Sequence, residues 1–331
     1  MGFTAADLPD LTGTNAVVTG ANSGIGYATA LELARHGAAV MLACRNTDKA
    51  AAARAKIQAD VPGAQVTVGA LDLSRLKSVR NFAGGWAGPL DLLVNNAGVM
   101  APLKRRITED GFELQMGTNH LGHFALTGLL LPKLLAGAHP RVVTVSSLAH
   151  AFGALDLDDL QSVAGYTPQR SYGNSKLANL LFALELQRRA DAAGSALVST
   201  AAHPGLADTG LFTSPDGMGS SRTVRLLAPF NKVISQSAAA GARSTLYAAT
   251  AAEPGSYTGP SLFREWRGAP GPAKVSASAA DAAVAGELWD VSGELTGVTY
   301  NWAGLELPES APGRAVRTAP IATVAGAESE R

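Results

Sequence analysis

Cysteine is almost absent from this sequence, because Cys44 is the only one among 331 residues. A single thiol excludes an intrachain disulfide, and six histidines with one cysteine supply no spacing typical of zinc ligands. His120 and His123 lie three residues apart without an acidic partner at a fitting distance along the chain. We therefore predict no metal site and expect a reducing compartment, the cytoplasm.

An excess of charge of either sign is also missing, since 27 Lys and Arg balance 27 Asp and Glu. No long basic run is present, which argues against a nucleic-acid partner and favours a small molecule. The longest apolar stretch, Phe124 to Leu135, is too short for a membrane span and contains Pro132 and Lys133. The first residues carry no export or lipidation signal, so we expect neither an anchor nor membrane insertion.

Hydrophobic residues, in contrast, make up 47% of the chain and recur in short β-branched runs with helical patterns between them. This rhythm predicts repeated βαβ units, hence a single-domain α/β Rossmann fold: a doubly wound parallel sheet with helices on both faces. The predicted strands contain residues 16–18, 39–42, 66–68, 92–94, 142–145 and 197–200. The predicted helices cover residues 25–36, 48–60, 75–82, 109–135, 172–192 and 237–250.

The domain is expected to span residues 1–310, followed by a flexible tail over 311–331. We interpret Gly268 to Ala273 as a loop because it is rich in proline, glycine and alanine. Residues 206–236 mix glycine and serine with apolar side chains and are expected to form a substrate lid. Plain packing against the domain explains the same apolar residues equally well, so the segment indicates only a nonpolar substrate.

A glycine turn joins the first predicted strand to the first predicted helix, between Thr19 and Gly26. Glycine allows the backbone to approach a pyrophosphate closely, and the helix N-terminus offers free N–H groups. The spacing Gly-x-x-x-Gly-x-Gly also suits a tight turn without a ligand. We favour phosphate binding, through residues Gly20, Asn22, Ser23, Gly24, Ile25 and Gly26.

A second motif, Tyr172 followed four residues later by Lys176, places a phenol and an ammonium on one helix face. Protonating the alkoxide that hydride transfer leaves requires an acid, and Tyr172 is our candidate. A positive charge about 4 Å away is worth roughly 4 kcal/mol at an effective dielectric of 20, enough to bring a phenol pKa from about 10 to about 7. We expect Lys176, aided by an oxidised nicotinamide, to lower the pKa of Tyr172.

Together with Asn95-Asn96-Ala97-Gly98, these motifs resemble the short-chain dehydrogenases/reductases over roughly residues 12 to 300. Ala43-Cys44-Arg45-Asn46, Asn119-His120-Leu121-Gly122-His123-Phe124 and Ser146-Ser147-Leu148-Ala149-His150 are most similar to the retinol dehydrogenase-like branch. Many family members place serine and tyrosine nearer 13 residues apart. The larger gap here, Leu148 to Ser171, is interpreted as an insertion typical of that branch.

The resemblance implies roles for further residues. Ser147 would hold the substrate oxygen, and Asn119 would position a water relay behind Lys176. Members of the family commonly form homodimers or homotetramers through helices such as 109–135 and 172–192, which makes either assembly possible here. Animal retinol dehydrogenases often carry an N-terminal membrane anchor, whereas this chain begins almost directly with its first strand, so a microsomal location is not expected. Implied cofactor contacts are Asp72, Leu73, Asn96, Ala97, Gly98, Tyr172, Lys176, Pro204, Gly205 and Thr209.

Cofactor choice depends on the end of the second predicted strand, where an acidic residue would bind a ribose 2′-hydroxyl and an arginine a 2′-phosphate. Arg45 occupies this position, Asn46 follows it, and no Asp or Glu lies between Cys44 and Thr47. NADP(H) is therefore favoured over NAD(H), although an arginine that is only exposed to solvent would explain the same sequence.

The sequence thus predicts an NADP(H)-dependent oxidoreductase that interconverts a lipophilic alcohol and its aldehyde or ketone. Two other functions are considered. A catalytically silent NADP(H)-binding sensor or scaffold would keep the cofactor site without turnover. An epimerase or dehydratase usually has a larger C-terminal substrate domain than this chain provides.

Overall fold

Eight strands form one sheet in the order β3-β2-β1-β4-β5-β6-β7-β8, in which the first seven are parallel and β8 is antiparallel. The computed structural model describes residues 2–206 and 236–302. The strands are β1 (Asn15–Thr19), β2 (Ala39–Cys44), β3 (Val66–Ala70), β4 (Leu92–Asn95), β5 (Arg141–Val145), β6 (Val198–Ala202), β7 (Tyr257–Leu262) and β8 (Arg267–Pro272). The helices are α1 (Gly24–Arg35), α2 (Thr47–Asp60), α3 (Leu76–Gly85), α4 (Gly122–Leu135), α5 (Pro168–Ala192), α6 (Ala238–Thr250) and α7 (Ala282–Thr296).

Alternate residues of each central strand enter two different hydrophobic cores. Ala16 and Val18 pack into one core with α1 and α6, whereas Val17 packs into the other with α4 and α5. A strand buried on both faces needs apolar residues at successive positions, which is the pattern that the sequence shows. The predicted doubly wound α/β fold with helices on both faces is confirmed.

The predicted helix over 109–135 begins too early. Gly111 adopts φ +87°, and Ile107 pairs with Glu113 in an isolated antiparallel bridge, so this segment forms a turn and not a helix. Beyond it, a π-helical turn over Met116–Leu121 leads into α4. The predicted site residue Asn119 lies within this π turn, and such turns occur frequently at functional sites.

The predicted loop over 268–273 is wrong as well, since Arg267–Pro272 forms β8. Proline cannot donate to a ladder hydrogen bond, yet Pro270 and Pro272 are accommodated because β8 pairs only with β7, at the edge of the sheet. Helix α7 is a further element that the sequence pattern did not predict.

Trp289 of α7 covers the two helices that were expected to bind a second copy. Its ring lies 5.2 Å from that of Phe124 on α4 and stacks at 5.8 Å on that of Phe182 on α5. Tyr300 completes this cluster by donating a hydrogen bond to the Phe124 carbonyl at 2.7 Å. A homodimer or homotetramer stays a prediction, and it would have to use other parts of these helices or another surface.

Two predicted segments fall largely or wholly outside the described residues. Of the lid over 206–236 only its two ends are described, and the tail over 311–331 lies entirely beyond residue 302. No helix within residues 2–206 and 236–302 has the length and apolar character needed to cross a membrane.

Asp91 fastens the amino ends of β1 and β4 to the chain that follows α4. Its buried carboxylate accepts hydrogen bonds from the Asn15 N–H at 2.8 Å and the Ala138 N–H at 2.9 Å. Asp91→Ala should lower the free energy of unfolding by about 2–3 kcal/mol because both buried donors lose their partner. Asp91→Asn keeps one acceptor and should lose about half as much. Urea denaturation followed by circular dichroism measures both, and wild-type stability in the alanine variant would contradict this role.

Candidate active site

A cavity of about 820 Å³ opens at the carboxyl ends of the strands, where the strand order reverses between β1 and β4. Ligands of open α/β sheets bind at such reversal points. Most predicted site residues meet there, although they come from distant parts of the sequence. Those lining the cavity are Gly20, Asn22, Ser23, Gly24, Ile25, Gly26, Arg45, Asn46, Asp72, Leu73, Asn96, Ala97, Gly98, Ser147, Tyr172, Lys176, Pro204 and Gly205.

The glycine turn brings the start of α1 against the segment that follows β4. A Cβ on Gly26 would lie 2.5 Å from Nδ2 of Asn96, so no larger residue fits there. Ser23 is the N-cap of α1, but its side chain makes no capping hydrogen bond. The first N–H groups of α1 therefore keep their capacity to bind an anion, as a phosphate cradle requires.

One buried hydroxyl, that of Thr19, connects this turn to α4. Its Oγ1 accepts hydrogen bonds from the N–H groups of Asn96 and Ala97, both at 2.9 Å. His123 determines where the Thr19 hydroxyl donates its own proton. The Nδ1–H of His123 donates to the Asn119 carbonyl at 2.9 Å, so Nε2 accepts from the Thr19 hydroxyl at 2.9 Å. Burial lowers the pKa of His123 to about 4, so the ring stays neutral and this arrangement holds at neutral pH.

Two cationic side chains stand at the end of the cavity next to β2. Arg45 and Lys49 are exposed and line it together. Lys49 was missed by the sequence analysis, which examined only the residues directly after the strand. Asn46 caps α2, since its Oδ1 accepts from the Lys49 N–H at 2.8 Å, and Asp72 is a turn residue that accepts from Ser74.

Ser147, Tyr172 and Lys176 line the cavity together. The Lys176 Nζ lies 5.8 Å from the centre of the Tyr172 ring and donates a hydrogen bond to the Val145 carbonyl at 3.0 Å. Burial raises the pKa of Tyr172 to about 12 against the opposing effect of a hydrogen bond with Ser147, and it lowers the pKa of Lys176 to about 8. Burial is thus the main cause of both shifts, and the expectation that Lys176, aided by an oxidised nicotinamide, lowers the pKa of Tyr172 stays a prediction.

Asn119 lies in the π-helical turn but does not line the cavity. Its Oδ1 accepts a hydrogen bond from the Val99 N–H at 2.8 Å. Its Nδ2 donates to the Val99 carbonyl at 3.0 Å and to the Ser175 hydroxyl at 2.9 Å. A Cβ on Gly98 would lie 3.1 Å from Asn119 and 3.7 Å from Lys176 Nζ, so both side chains pack on this glycine. The structure thus shows Asn119 fastening the chain after β4 to α5, and the water relay stays a prediction.

The opposite end of the cavity has apolar walls that the sequence analysis did not assign. Met100, Leu148, Phe152 and Leu206 line it, and 82% of the Phe152 side chain is exposed. Leu148 and Phe152 belong to a 3₁₀ turn at the start of the predicted insertion. Pro204 and Gly205 lie beside them after β6, while Thr209 falls outside the described residues.

The residues of the cavity fit a nicotinamide dinucleotide. The turn before α1 would hold its phosphates, Arg45 and Lys49 lie where the adenosine part would be, and Pro204 lies four strand spacings away, about 19 Å. Burial raises the pKa of Cys44 to about 11, so the thiol beside this site is neutral. Among the residues that the structure describes, no cluster of metal-ligating side chains is found.

Lys176→Met should stabilise the protein at pH 7. A folded-state pKa near 8 against an ordinary value of 10.5 means that burying the charged ammonium opposes folding, by up to about 3 kcal/mol. The Val145 carbonyl keeps a donor after the change, since Asn179 Nδ2 lies 3.2 Å away.

The pH dependence of this effect has a defined sign. Between pH 8 and 10.5 the unfolded wild-type chain keeps the Lys176 proton that the folded protein has released. The free energy of unfolding of the wild type therefore rises with pH relative to that of the variant, and the difference disappears above pH 10.5. Thermal melts of both proteins at pH 7, 9 and 10.5 measure this. A variant that is less stable at pH 7 would show that Lys176 contributes favourably to folding.

Comparison with known proteins agrees with this geometry. The family model for short chain dehydrogenase matches residues 14–216. Human retinol dehydrogenase 13 is 42% identical over 290 residues, covering 86% of this chain and 85% of its own. Mouse polyprenol dehydrogenase is 46% identical over 212 residues, covering 62% of this chain and 63% of its own. An uncharacterized protein from Mycobacterium paratuberculosis, whose crystal structure is known, is 45% identical, with a TM-score of 0.74 over 91% of this chain and all of that one.

The family prediction is thus confirmed by sequence and by structure, and with it the class of reaction. A nicotinamide nucleotide is the cofactor that the family binds. The chain belongs to the short-chain dehydrogenase family, in its retinol dehydrogenase-like branch, and is an oxidoreductase that acts on CH–OH groups.

Proposed function

We propose that this protein uses NADP(H) to interconvert a lipophilic alcohol and its aldehyde or ketone, with Tyr172 as the general acid and base. One observation carries the proposal. Ser147, Tyr172 and Lys176 line one cavity together with two cationic side chains that follow β2 and apolar side chains that follow β4, β5 and β6. Such a cavity suits a phosphorylated dinucleotide and a nonpolar substrate that meet at the phenol.

The preference for NADP(H) rests on Arg45 and Lys49. Both are cationic, both line the cavity next to β2, and neither Cys44 nor Asn46 beside them is acidic. A carboxylate at this strand end would repel a 2′-phosphate, whereas a guanidinium can bind it through two hydrogen bonds.

The proton chemistry follows from burial. Because the pKa of Tyr172 is raised to about 12, the phenol is protonated at neutral pH and ready to donate to a substrate oxygen. Ser147 lies within hydrogen-bonding reach of the phenol and offers a second donor to the same oxygen. When bound, the nicotinamide supplies or accepts the hydride. This protonation state suits carbonyl reduction, while alcohol oxidation needs the phenolate and should accelerate as pH rises.

The lipophilic substrate is inferred from Met100, Leu148, Phe152 and Leu206. Apolar side chains around a few polar groups orient a nonpolar molecule with its oxygen toward the polar centre. Relatives of this chain are named as dehydrogenases of retinol and polyprenol, both lipophilic alcohols. We propose a substrate of this class and a cytoplasmic location.

A catalytically silent NADP(H) sensor is the alternative. The placement of Tyr172, Lys176 and Ser147 in one cavity argues against it, because a sensor needs none of these groups together. Turnover of any carbonyl substrate separates the two functions.

Tyr172→Phe should lower kcat for carbonyl reduction by at least about 100-fold, because general acid catalysis contributes a factor of this size. Dissociation constants for NADPH should change less than about threefold, since the ring remains. Oxidation of NADPH by the purified protein, followed at 340 nm with a panel of lipophilic aldehydes and ketones, gives the first quantity. Quenching of protein fluorescence gives the second.

The matched control is Tyr166→Phe, which removes a phenol outside the cavity that donates to the Pro102 carbonyl at 2.6 Å. It should keep most of the wild-type turnover. Wild-type turnover in Tyr172→Phe would exclude the proposed acid, and NADPH binding without turnover across the panel would favour the sensor.

Arg45→Asp should weaken NADPH binding by about 100-fold or more and NADH binding by less than about fivefold. The carboxylate removes one favourable charge and adds one that repels the 2′-phosphate. Lys49→Gln only removes a charge and should cost NADPH about three- to tenfold. Fluorescence titration with both nucleotides measures this, and equal losses for NADPH and NADH would show that Arg45 does not contact the 2′-phosphate.

A further inference from the structure

A pair of side chains, the buried His203 and the partly buried Glu265, lies behind the wall of the cavity that Pro204 and Gly205 form. His203 Nε2 and a carboxylate oxygen of Glu265 are 3.1 Å apart, although the residues are 62 positions apart in the chain. His203 is fully buried at the end of β6, and Glu265 lies in the turn between β7 and β8. Neither residue lines the cavity itself.

The hydrogen bonds around His203 determine its tautomer. The Gly205 N–H donates to Nδ1 at 3.2 Å, so Nδ1 carries no proton and Nε2–H must donate to Glu265. Burial lowers the pKa of His203 to about 3, which keeps the ring neutral and its Nδ1 lone pair available. Glu265 uses its second oxygen to accept from the Lys274 N–H at 2.9 Å.

The backbone around the pair is shaped to hold it. A Cβ on Gly259 would lie 1.8 Å from Nε2 of His203, so the imidazole occupies space that only glycine leaves. Phe263, Arg264 and Glu265 all have positive φ, from 52° to 66°, a conformation that costs roughly 1–2 kcal/mol per residue. This left-handed turn brings Glu265 to His203, and it also brings the Trp266 carbonyl to the Leu206 N–H at 3.0 Å. Strain of this kind persists where the surrounding contacts compensate for it.

We propose that Glu265 is a positioning residue of the active site: through His203 it fixes the Pro204–Gly205 wall of the cavity. The inference rests on the proposed function, because it assumes that this wall contacts the nicotinamide half of the cofactor. Without the carboxylate, Nε2–H loses its acceptor and the ring can change tautomer or rotate. A proton on Nδ1 would face the Gly205 N–H, and the wall would move.

This role requires two acceptor oxygens, because His203 and the Lys274 N–H both donate to the carboxylate. A glutamine offers only one acceptor, and its amide group must face one of these two donors. Glu265→Gln should therefore recover only part of what Glu265→Ala loses. A residue that merely fills space would be replaced by glutamine without any loss.

The test compares two ligands that differ in the half of the cofactor they contain. Titration of Glu265→Ala with NADPH should show a dissociation constant raised about fivefold or more, the effect of losing one hydrogen-bonded contact. Binding of 2′,5′-ADP should change less than twofold, because Arg45 and Lys49 lie about four strand spacings away. The dissociation constant of Glu265→Gln for NADPH should lie between those of wild type and Glu265→Ala. Arg264→Gln, on the same turn, is the control and should bind both ligands as wild type does.

Three outcomes are informative. Equal weakening of both ligands in Glu265→Ala, together with a lowered melting temperature, would show a general structural role and overturn the inference. Unchanged NADPH binding would overturn it as well. If wild type binds NADPH but reduces no carbonyl substrate, the proposed function fails while the binding comparison still decides the role of Glu265.

Discussion

The hydroxyl of Thr19 is the contact on which the geometry of the site depends. It stands at the end of β1, where the strand order reverses, and its donor and acceptors are all used within one buried network. This one group joins the end of β1, just before the glycine turn, to the segment after β4, and through His123 it also reaches the π turn before α4. Because a buried hydroxyl without partners is costly, these elements cannot separate without a penalty at the centre of the fold.

Burial is the largest influence on the protonation of both Tyr172 and Lys176. Tyr172 and Lys176 both shift toward their neutral forms, although a phenolate and an ammonium close together would attract. A Coulomb estimate made from the sequence counts only that attraction, because the cost of removing two groups from water depends on the surrounding packing. The estimate therefore leaves out the desolvation that raises the pKa of Tyr172. Placing Lys176 where it is poorly solvated lowers the free energy of unfolding, and local costs of this kind are common at functional sites.

Sequence reasoning worked where one local signal decides the structure. Runs such as Val17-Val18 form strands buried on both faces, and the glycines before α1 are required by contacts within a few ångströms of the turn. It failed where the deciding contact is distant along the chain. The prolines of β8 predict a loop when only neighbouring residues are considered, but pairing with β7 makes the segment a strand. Helix α7 is positioned by the packing of Trp289 on Phe124. Lys49 was missed because a helix residue three positions beyond the cap was not considered as part of the strand end.

The edge of the sheet that the sequence did not predict also supports Leu206, one of the apolar residues of the cavity that we propose contact the substrate. The turn between β7 and β8 holds Leu206 through the Trp266 carbonyl, and Gln236 donates to the Leu206 carbonyl at 2.8 Å. Leu206 and Gln236, which flank the residues that the structure does not describe, are thus joined to each other, and Leu206 is joined to the hairpin. An edge hairpin is peripheral to the Rossmann sheet, yet here it contacts the start of the segment over 206–236 that the sequence predicts as a lid. Under the proposed function, the end of the cavity assigned to the cofactor is held by the centre of the sheet and the end assigned to the substrate by its margin, so changes at the margin should alter substrate binding while the contacts of Thr19 stay in place.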